Sequence, residues 1–376
     1  MITETVLSRS IRVMFMGGLA LSMAAANAQT ATGEIEKVTV TGSRIRVSTV
    51  TEGSSPITVV GAQDIKSDGV KNTESLMNNL PQVFADQGGS VSNGATGTAT
   101  VNLRNLGSIR TLVLVNGRRL VPGDPTSPVA DLNFIPSAII KRVDVLTGGA
   151  SSVYGSDALA GVVNFVMDTN FTGIRLDGQL SFYNHNNRAD GQIIDALNAR
   201  NYPYKDGMVT DGAQKNVTVS IGADLAEGRG HVLAYAGYRA VNAVTQGDRD
   251  FSTCGLSGAL SDDVGVACGG SSTAANGRFR RTNLVGVFAG VPAYGATGPS
   301  FSLDPNNPNG EFRTYNATRD AFNFNPYNFF QRPDKRYTLG AFAHYEISPA
   351  FDPYLEAMFM DDRSDAQIAP SGNFFS

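Results

Sequence analysis

Hydrophobic and polar positions follow two rhythms along this chain, and the change falls near residue 168. From Ser54 the pattern is mixed: short apolar runs separated by turn residues and brief helical stretches. "SPITVVGAQDIK" predicts a strand followed by a short helix from near Ala62. "NTESLMNNLP" predicts a helix capped by Asn72 or Thr73, ending before Pro81 because proline offers no amide hydrogen to continue it. "GGSVSNGATGTAT" is a glycine-rich loop. In "TLVLVNGRRLV" two hydrophobic arms flank Asn116-Gly117, a pair that accepts the positive φ angles of a tight hairpin. "IPSAIIKRVDVLTGG" holds a short helix from Pro136 and then a strand, Lys141 to Leu146, in which Val143 and Val145 alternate with Arg142 and Asp144. "GVVNFVM" is a further strand.

Beyond residue 168 the period is two. Ile174, Leu176, Leu180 and Phe182 alternate with Arg175, Asp177, Gln179 and Ser181. Val217, Val219, Ile221 and Ala223 share one face of a second run, and "HVLAYAGYRA" forms a third. Tyr337, Leu339, Ala341, Ala343 and Tyr345 oppose Thr338, His344 and Glu346; Leu355, Ala357 and Phe359 oppose Tyr354, Glu356 and Asp362. Five strands with one apolar face are predicted. A soluble β-sandwich has the same alternation, but the connections differ from one end to the other. "LAEGRG" and "SPAFD" are tight turns, whereas Asn184 to Lys215 and Val241 to Lys335 are long. Short turns at one end and long loops at the other are the signature of outer-membrane barrels.

The N-terminus sets the compartment. Arg9 and Arg12 precede an apolar run, Val13 to Ala26, and then Ala26-Asn27-Ala28. This is a secretory signal peptide over residues 1–28, cut before Gln29. An export route explains Cys254 and Cys268, the only cysteines, in a Gly/Ser-rich segment. A disulfide between them would stabilise the loop by about 3 kcal/mol; the alternative is two free thiols. Charge is near balance, with 30 basic and 34 acidic residues, so no nucleic-acid surface is indicated. The 41 glycines and absence of tryptophan fit a turn-rich β protein.

Catalytic chemistry finds little support. The stretch "LTGGASSVYGSDALAGVVNF" has no lysine in the frame of a phosphate-binding loop and no G-x-S-x-G frame around Ser151 or Ser152. His185, His231 and His344 fall one per segment, which suits structural roles better than a metal site. Neither a catalytic group nor a cofactor or metal site is expected, and the chain is read as a non-enzyme. An exported hydrolase would need a nucleophile and base in one motif.

"NLRNLGSIRTLVLVNGRRLVP" followed by "IPSAIIKRVDVLTGGASSVYGSDALAGVVNFV" resembles the plug domain of TonB-dependent outer-membrane receptors, and "EKVTVTGSRI" resembles the TonB box of one branch of that family. The match runs from about Glu34 to Met167. One departure is that Arg104 is followed by Asn105 where family members usually carry glycine. The resemblance implies an α+β plug domain followed by antiparallel transmembrane β-strands of an incomplete outer-membrane β-barrel. It divides the chain into a signal peptide (1–28), a TonB-box lead (29–50), the plug (51–168) and the first barrel strands with long extracellular loops (169–376). Val38, Thr39, Val40 and Thr41 would be the TonB box, recruiting the TonB energy-coupling protein of the inner membrane. Arg104, Arg110, Arg118, Arg119 and Arg142 are candidate plug–barrel contacts, with solvated charge in a wet lumen as the alternative. The short lead leaves no room for the extra domain of transcription-signalling receptors.

The expected function is energy-coupled uptake of a scarce, bulky ligand: a ferric siderophore, cobalamin or a saccharide. The expected surroundings are outer-membrane lipid. Aromatics in the longer loop (Phe322, Phe324, Tyr327, Phe329, Phe330) are candidates for ligand capture or for simple loop packing. Five strands cannot close round a plug, since plugged transporters use 22, so the chain is expected to be an N-terminal fragment of a longer receptor or a truncated gene product. The alternative reading is a periplasmic plug-like binding module without transport.

Overall fold

The computed structural model describes residues 57–372 except 68, 70–71, 93–95, 149, 189–190, 259–264, 280–299 and 308. The signal peptide, the 29–50 lead and the candidate TonB box Val38–Thr41 lie outside the described residues.

The N-terminal domain is built on a five-stranded sheet. Its strands are β1 (Ile57–Gly61), β2 (Thr111–Val115), β3 (Arg118–Arg119), β4 (Ile140–Leu146) and β5 (Gly161–Met167), in the order β1-β4-β5-β2-β3. The β2–β5 pair is parallel and the other pairs are antiparallel. All five residues of β2 are buried, because both faces of the sheet are covered. On one face Val113, Val143, Val145, Val163 and Phe165 pack against Leu76 and Met77 of helix α2 (Thr73–Asn78) and against Leu132 and Ile135. On the other, Leu112, Leu114, Leu146 and Val162 meet Ala150, Ala158 and Tyr154 around helix α3 (Ser151–Tyr154). Asn72 caps α2, its Oδ1 accepting from the Ser75 amide at 2.8 Å.

Local sequence signals explain the sharp turns. Asn116 and Gly117 have φ of 50° and 79°, as a two-residue hairpin requires. Asn116 Oδ1 also accepts from the Met167 amide at 2.9 Å, tying the hairpin to β5. The turn at Arg104-Asn105 forms without glycine: both residues sit at positive φ, 55° and 57°, and asparagine tolerates that region better than most. Gly161 has no substitute, since a Cβ there would lie 2.2 Å from the Leu146 carbonyl oxygen.

The second half forms one wide antiparallel sheet in sequence order: β6 (Gly173–Asn187), β7 (Gly207–Leu225), β8 (Gly230–Val241), β9 (Asp334–Tyr345) and β10 (Tyr354–Ser364). These are the five strands the alternation predicts. Two run further than expected. The segment read as a long loop, Asn184 to Lys215, is partly strand, with Asn184 paired to Thr210 and Asn187 to Gly207. A register shift between Ser181 and Tyr183 allows this extension, opposite Gly212 at φ 60°. The remaining connection carries helix α4 (Gly191–Asn198). Among the described residues β6 and β10 are edge strands, so the sheet is open.

The N-terminal domain packs on one face of this sheet. Leu233 and Tyr235 of β8 and Phe342 of β9 belong to the same buried cluster as Val143 and Phe165.

Candidate functional site

The register fixes rows of side chains across the wide sheet. Ile174, Ile221, Ala234, Ala341 and Ala357 form one row; Leu176, Val219, Ala236, Leu339 and Phe359 form the next. Both lie on the face away from the N-terminal domain and are bare of protein: Ile174 is 76% exposed, Leu176 70%, Leu339 51% and Phe359 58%. A continuous apolar surface of this kind calls for an apolar environment. Tyr238 and Tyr337 stand at one end of it, ring centroids 5.1 Å apart. Tyr345, on the same face of β9 as Tyr337, packs over Gly230 at the other end.

The opposite face is polar and meets the N-terminal domain. One row reads Gln179, Asn216, Arg239, Arg336, Asp362, and the next includes Gln214, Asp334 and Ser364. Here ion pairs concentrate. Arg336 Nη2 donates to Asp334 at 2.8 Å and lies 3.3 Å from Asp362, and Arg239 Nε lies 3.4 Å from Asp334. Facing them from the domain are Glu74 on α2 and Asp131. Burial pushes both carboxyls above the ordinary range, against hydrogen bonds from Gly89 to Glu74 and from Ala99 and Asn133 to Asp131. Arg332, just before β9, donates Nη2 to the Gly88 carbonyl at 2.5 Å and its amide to that of Gly89 at 2.9 Å. Sequence reasoning missed this cluster, because polar residues on an alternating strand read as solvated.

Of the five arginines read as candidate plug–barrel contacts, with solvated charge as the alternative, Arg118 meets a strand of the wide sheet. Arg118 Nε lies 3.3 Å from Glu356 of β10, with its guanidinium 4.2 Å from the centre of the Tyr354 ring. The other four bond within their own domain. Arg104 donates to the Ala160 carbonyl at 3.0 Å and Arg110 to that of Leu106 at 2.8 Å. Arg119 pairs with Asp157, whose carboxyl it holds below the usual range, and Arg142 lies 3.0 Å from Asp144. Turn carbonyls and neighbouring carboxylates of the domain supply the acceptors for these guanidinium groups.

The long connections build a folded cap beyond the strand ends. Cys254 and Cys268 are joined by a disulfide, with Cα atoms 5.6 Å apart. It packs with Ala196 and Leu197 of α4 and so ties the two connections together. Lys205 of the first pairs with Asp248 of the second; burial raises the Asp248 carboxyl, but bonds from Lys205 and Thr245 outweigh it and leave the group lowered. Of the loop aromatics, Phe330 meets Tyr183 and Phe251 edge-on, Phe322 lies 5.6 Å from Tyr327, and Phe329 is buried. His185 lies 3.0 Å from Asp250, while His231 and His344 sit opposite each other across β8 and β9. Among the described residues no three His, Cys, Asp or Glu side chains form a group able to hold a metal.

Residues 49–162 match the family model of the TonB-dependent receptor plug domain. The chain carries the plug domain of a TonB-dependent receptor. The plug is therefore what occupies the polar face of the open five-stranded sheet. Solved structures resembling the chain include a mutant of the ferric enterobactin receptor of Pseudomonas aeruginosa in complex with enterobactin, at 15% identity, covering 84% of this chain and 34% of that one, with a TM-score of 0.46. Another is the ferric yersiniabactin uptake receptor of Yersinia pestis, at 14% identity, with coverage of 86% and 43% and a TM-score of 0.41. The siderophore receptor PirA of Acinetobacter baumannii matches at 15%, with coverage of 82% and 40% and a TM-score of 0.37. The chain thus spans about a third to two fifths of the length of these receptors.

Proposed function

We propose that this chain works as part of an outer-membrane receptor that imports a scarce, bulky ligand using energy delivered through TonB. The observation that carries the reading is the two-sidedness of the wide sheet: a plug domain packed on its polar face and a bare apolar face behind. Lipid is the solvent that such an outer face suits, and a plug held on the inner face would block passage until moved. Transport would need no bond-making chemistry. A ligand would be captured on the outer side, where the disulfide-tied cap lies, and the plug would then be rearranged by a pull on Val38–Thr41 ahead of β1. The ligand class is a ferric siderophore, cobalamin or a saccharide, each too large for passive entry. The bare apolar face favours this over a soluble periplasmic binding module.

The test separates capture from uptake. With the receptor expressed at its native level, Val40→Pro should abolish energy-dependent uptake while leaving ligand binding to whole cells unchanged, because proline cannot donate in the strand pairing that a TonB contact would use. Uptake that persists in this variant would overturn the assignment of the box.

A further inference from the structure

Arg332 is a buried cation that makes no ion pair within 4 Å among the described residues. It is 4% exposed, and its hydrogen bonds run only to the backbone carbonyls of Gly88 and Gly89. Its Nε and Nη1 make no hydrogen bond in the structure. Arg336, four residues on, is satisfied differently: it lies against both Asp334 and Asp362. Asp334 is also shared with Arg239, so these two arginines engage the Oδ2 atoms of both sheet carboxylates, while Asp334 Oδ1 and Asp362 Oδ1 make no hydrogen bond. The acid that faces Arg332 from the plug is Glu74. Both its oxygens take the Gly89 amide, at 3.3 Å each, and burial works against its ionisation. A guanidinium removed from water is costly unless a charge or a full set of acceptors replaces the solvent.

The space beside it is a cavity of about 120 Å³ between the plug loop and the sheet, whose lining includes three guanidinium groups, Arg239, Arg332 and Arg336, and two carboxyls, Glu74 and Asp334. A water needs only about 10–15 Å³ of such space, so the cavity has room for a polyatomic ion. We propose that this cavity is a binding site for a small oxyanion, inorganic phosphate or a carboxylate ion, held by the Nε and Nη1 hydrogens of Arg332. Phosphate and carboxylate oxygens suit a guanidinium better than they suit a point cation. A bound oxyanion joins the plug loop at Gly88–Gly89 to the start of β9, so it clamps plug to sheet. This deepens the receptor reading and rests on it only for the meaning of the clamp; the binding itself does not depend on transport.

The test is calorimetric titration of the full-length receptor in detergent with inorganic phosphate and, separately, with acetate, followed by hydrogen exchange of the Gly88–Ser92 amides. Saturable binding with added protection of those amides is expected. Arg332→Gln should weaken it at least tenfold. Non-saturable heats in the wild-type protein would show that only water fills the cavity and would overturn the proposal without recourse to any variant. Binding that survives Arg332→Gln would overturn it as well. Loss of uptake in the Val40 variant, by contrast, bears on the receptor reading and leaves this titration untouched.

Discussion

Arg249 grips both carboxylate oxygens of Asp211, with Nη1 2.8 Å from Oδ2, while its guanidinium lies 5.5 Å from the centre of the Tyr183 ring and 5.8 Å from that of Phe330. The pair pins the start of the long connection after β8 to the first third of β7. Arg249 is 2% exposed, so removing its partner leaves a buried charge. Asp211→Ala should cost about 3–5 kcal/mol locally, read as faster proteolysis and hydrogen exchange over residues 244–253. The double variant with Arg249→Leu should recover much of this loss, since no lone charge remains.

Gly161 tests the packing of the plug. Alanine there would meet the Leu146 carbonyl oxygen at 2.2 Å and would also hold a φ of +145°, a region costing about 1–3 kcal/mol for other residues. Gly161→Ala should therefore lower the plug's denaturation midpoint sharply. Gly178→Ala, where an added Cβ meets nothing within 4 Å, should stay within about 0.5 kcal/mol of wild type.

A pH dependence follows from Glu74 and Asp131, whose carboxyls burial raises. Between the unfolded and folded values the native protein holds more protons than the unfolded chain, so stability falls as pH rises through that window. Their contribution is full below the ordinary carboxylate range and is lost above the raised values. Glu74→Gln should flatten the acidic-to-neutral slope of plug stability; an unchanged slope would mean that Glu74 ionises freely in the native protein.

The outer face of the sheet can be tested by charge. Leu339→Arg should disfavour membrane insertion by about 2–4 kcal/mol if the residue sits near the bilayer midplane, measured as the share of protein recovered in the outer-membrane fraction. Gln179→Lys, on the inner face, should insert normally.

Much of the fold was legible because each strand advertises its own two faces. Leu176 and Asp177 disclose a sheet before any contact is known, and Asn116-Gly117 discloses a hairpin. What stayed hidden depends on register, which joins residues far apart in sequence. Arg239, Arg336 and Asp362 look like three scattered polar positions until β8, β9 and β10 set them side by side. His231 and His344 look isolated for the same reason. The extension of β6 past Tyr183 was invisible because "NHNN" carries no alternation, and its strand character comes from pairing with residues 207–210. The arginines are hard to read for a related reason: Arg142 finds Asp144 two residues on, whereas Arg119 finds Asp157 38 residues on, and a lone charge in a sequence does not say in which direction it will reach.

The length of β7 carries a last consequence. Its 19 residues, at about 3.3 Å each, extend about 60 Å, whereas the apolar band of an outer-membrane wall is about 25 Å tall. Even allowing for tilt, a large part of the strand pair β6–β7 would rise clear of the lipid as a free-standing rampart. On the receptor reading proposed above, anything arriving from outside would meet the disulfide-tied crown before it came near the headgroups.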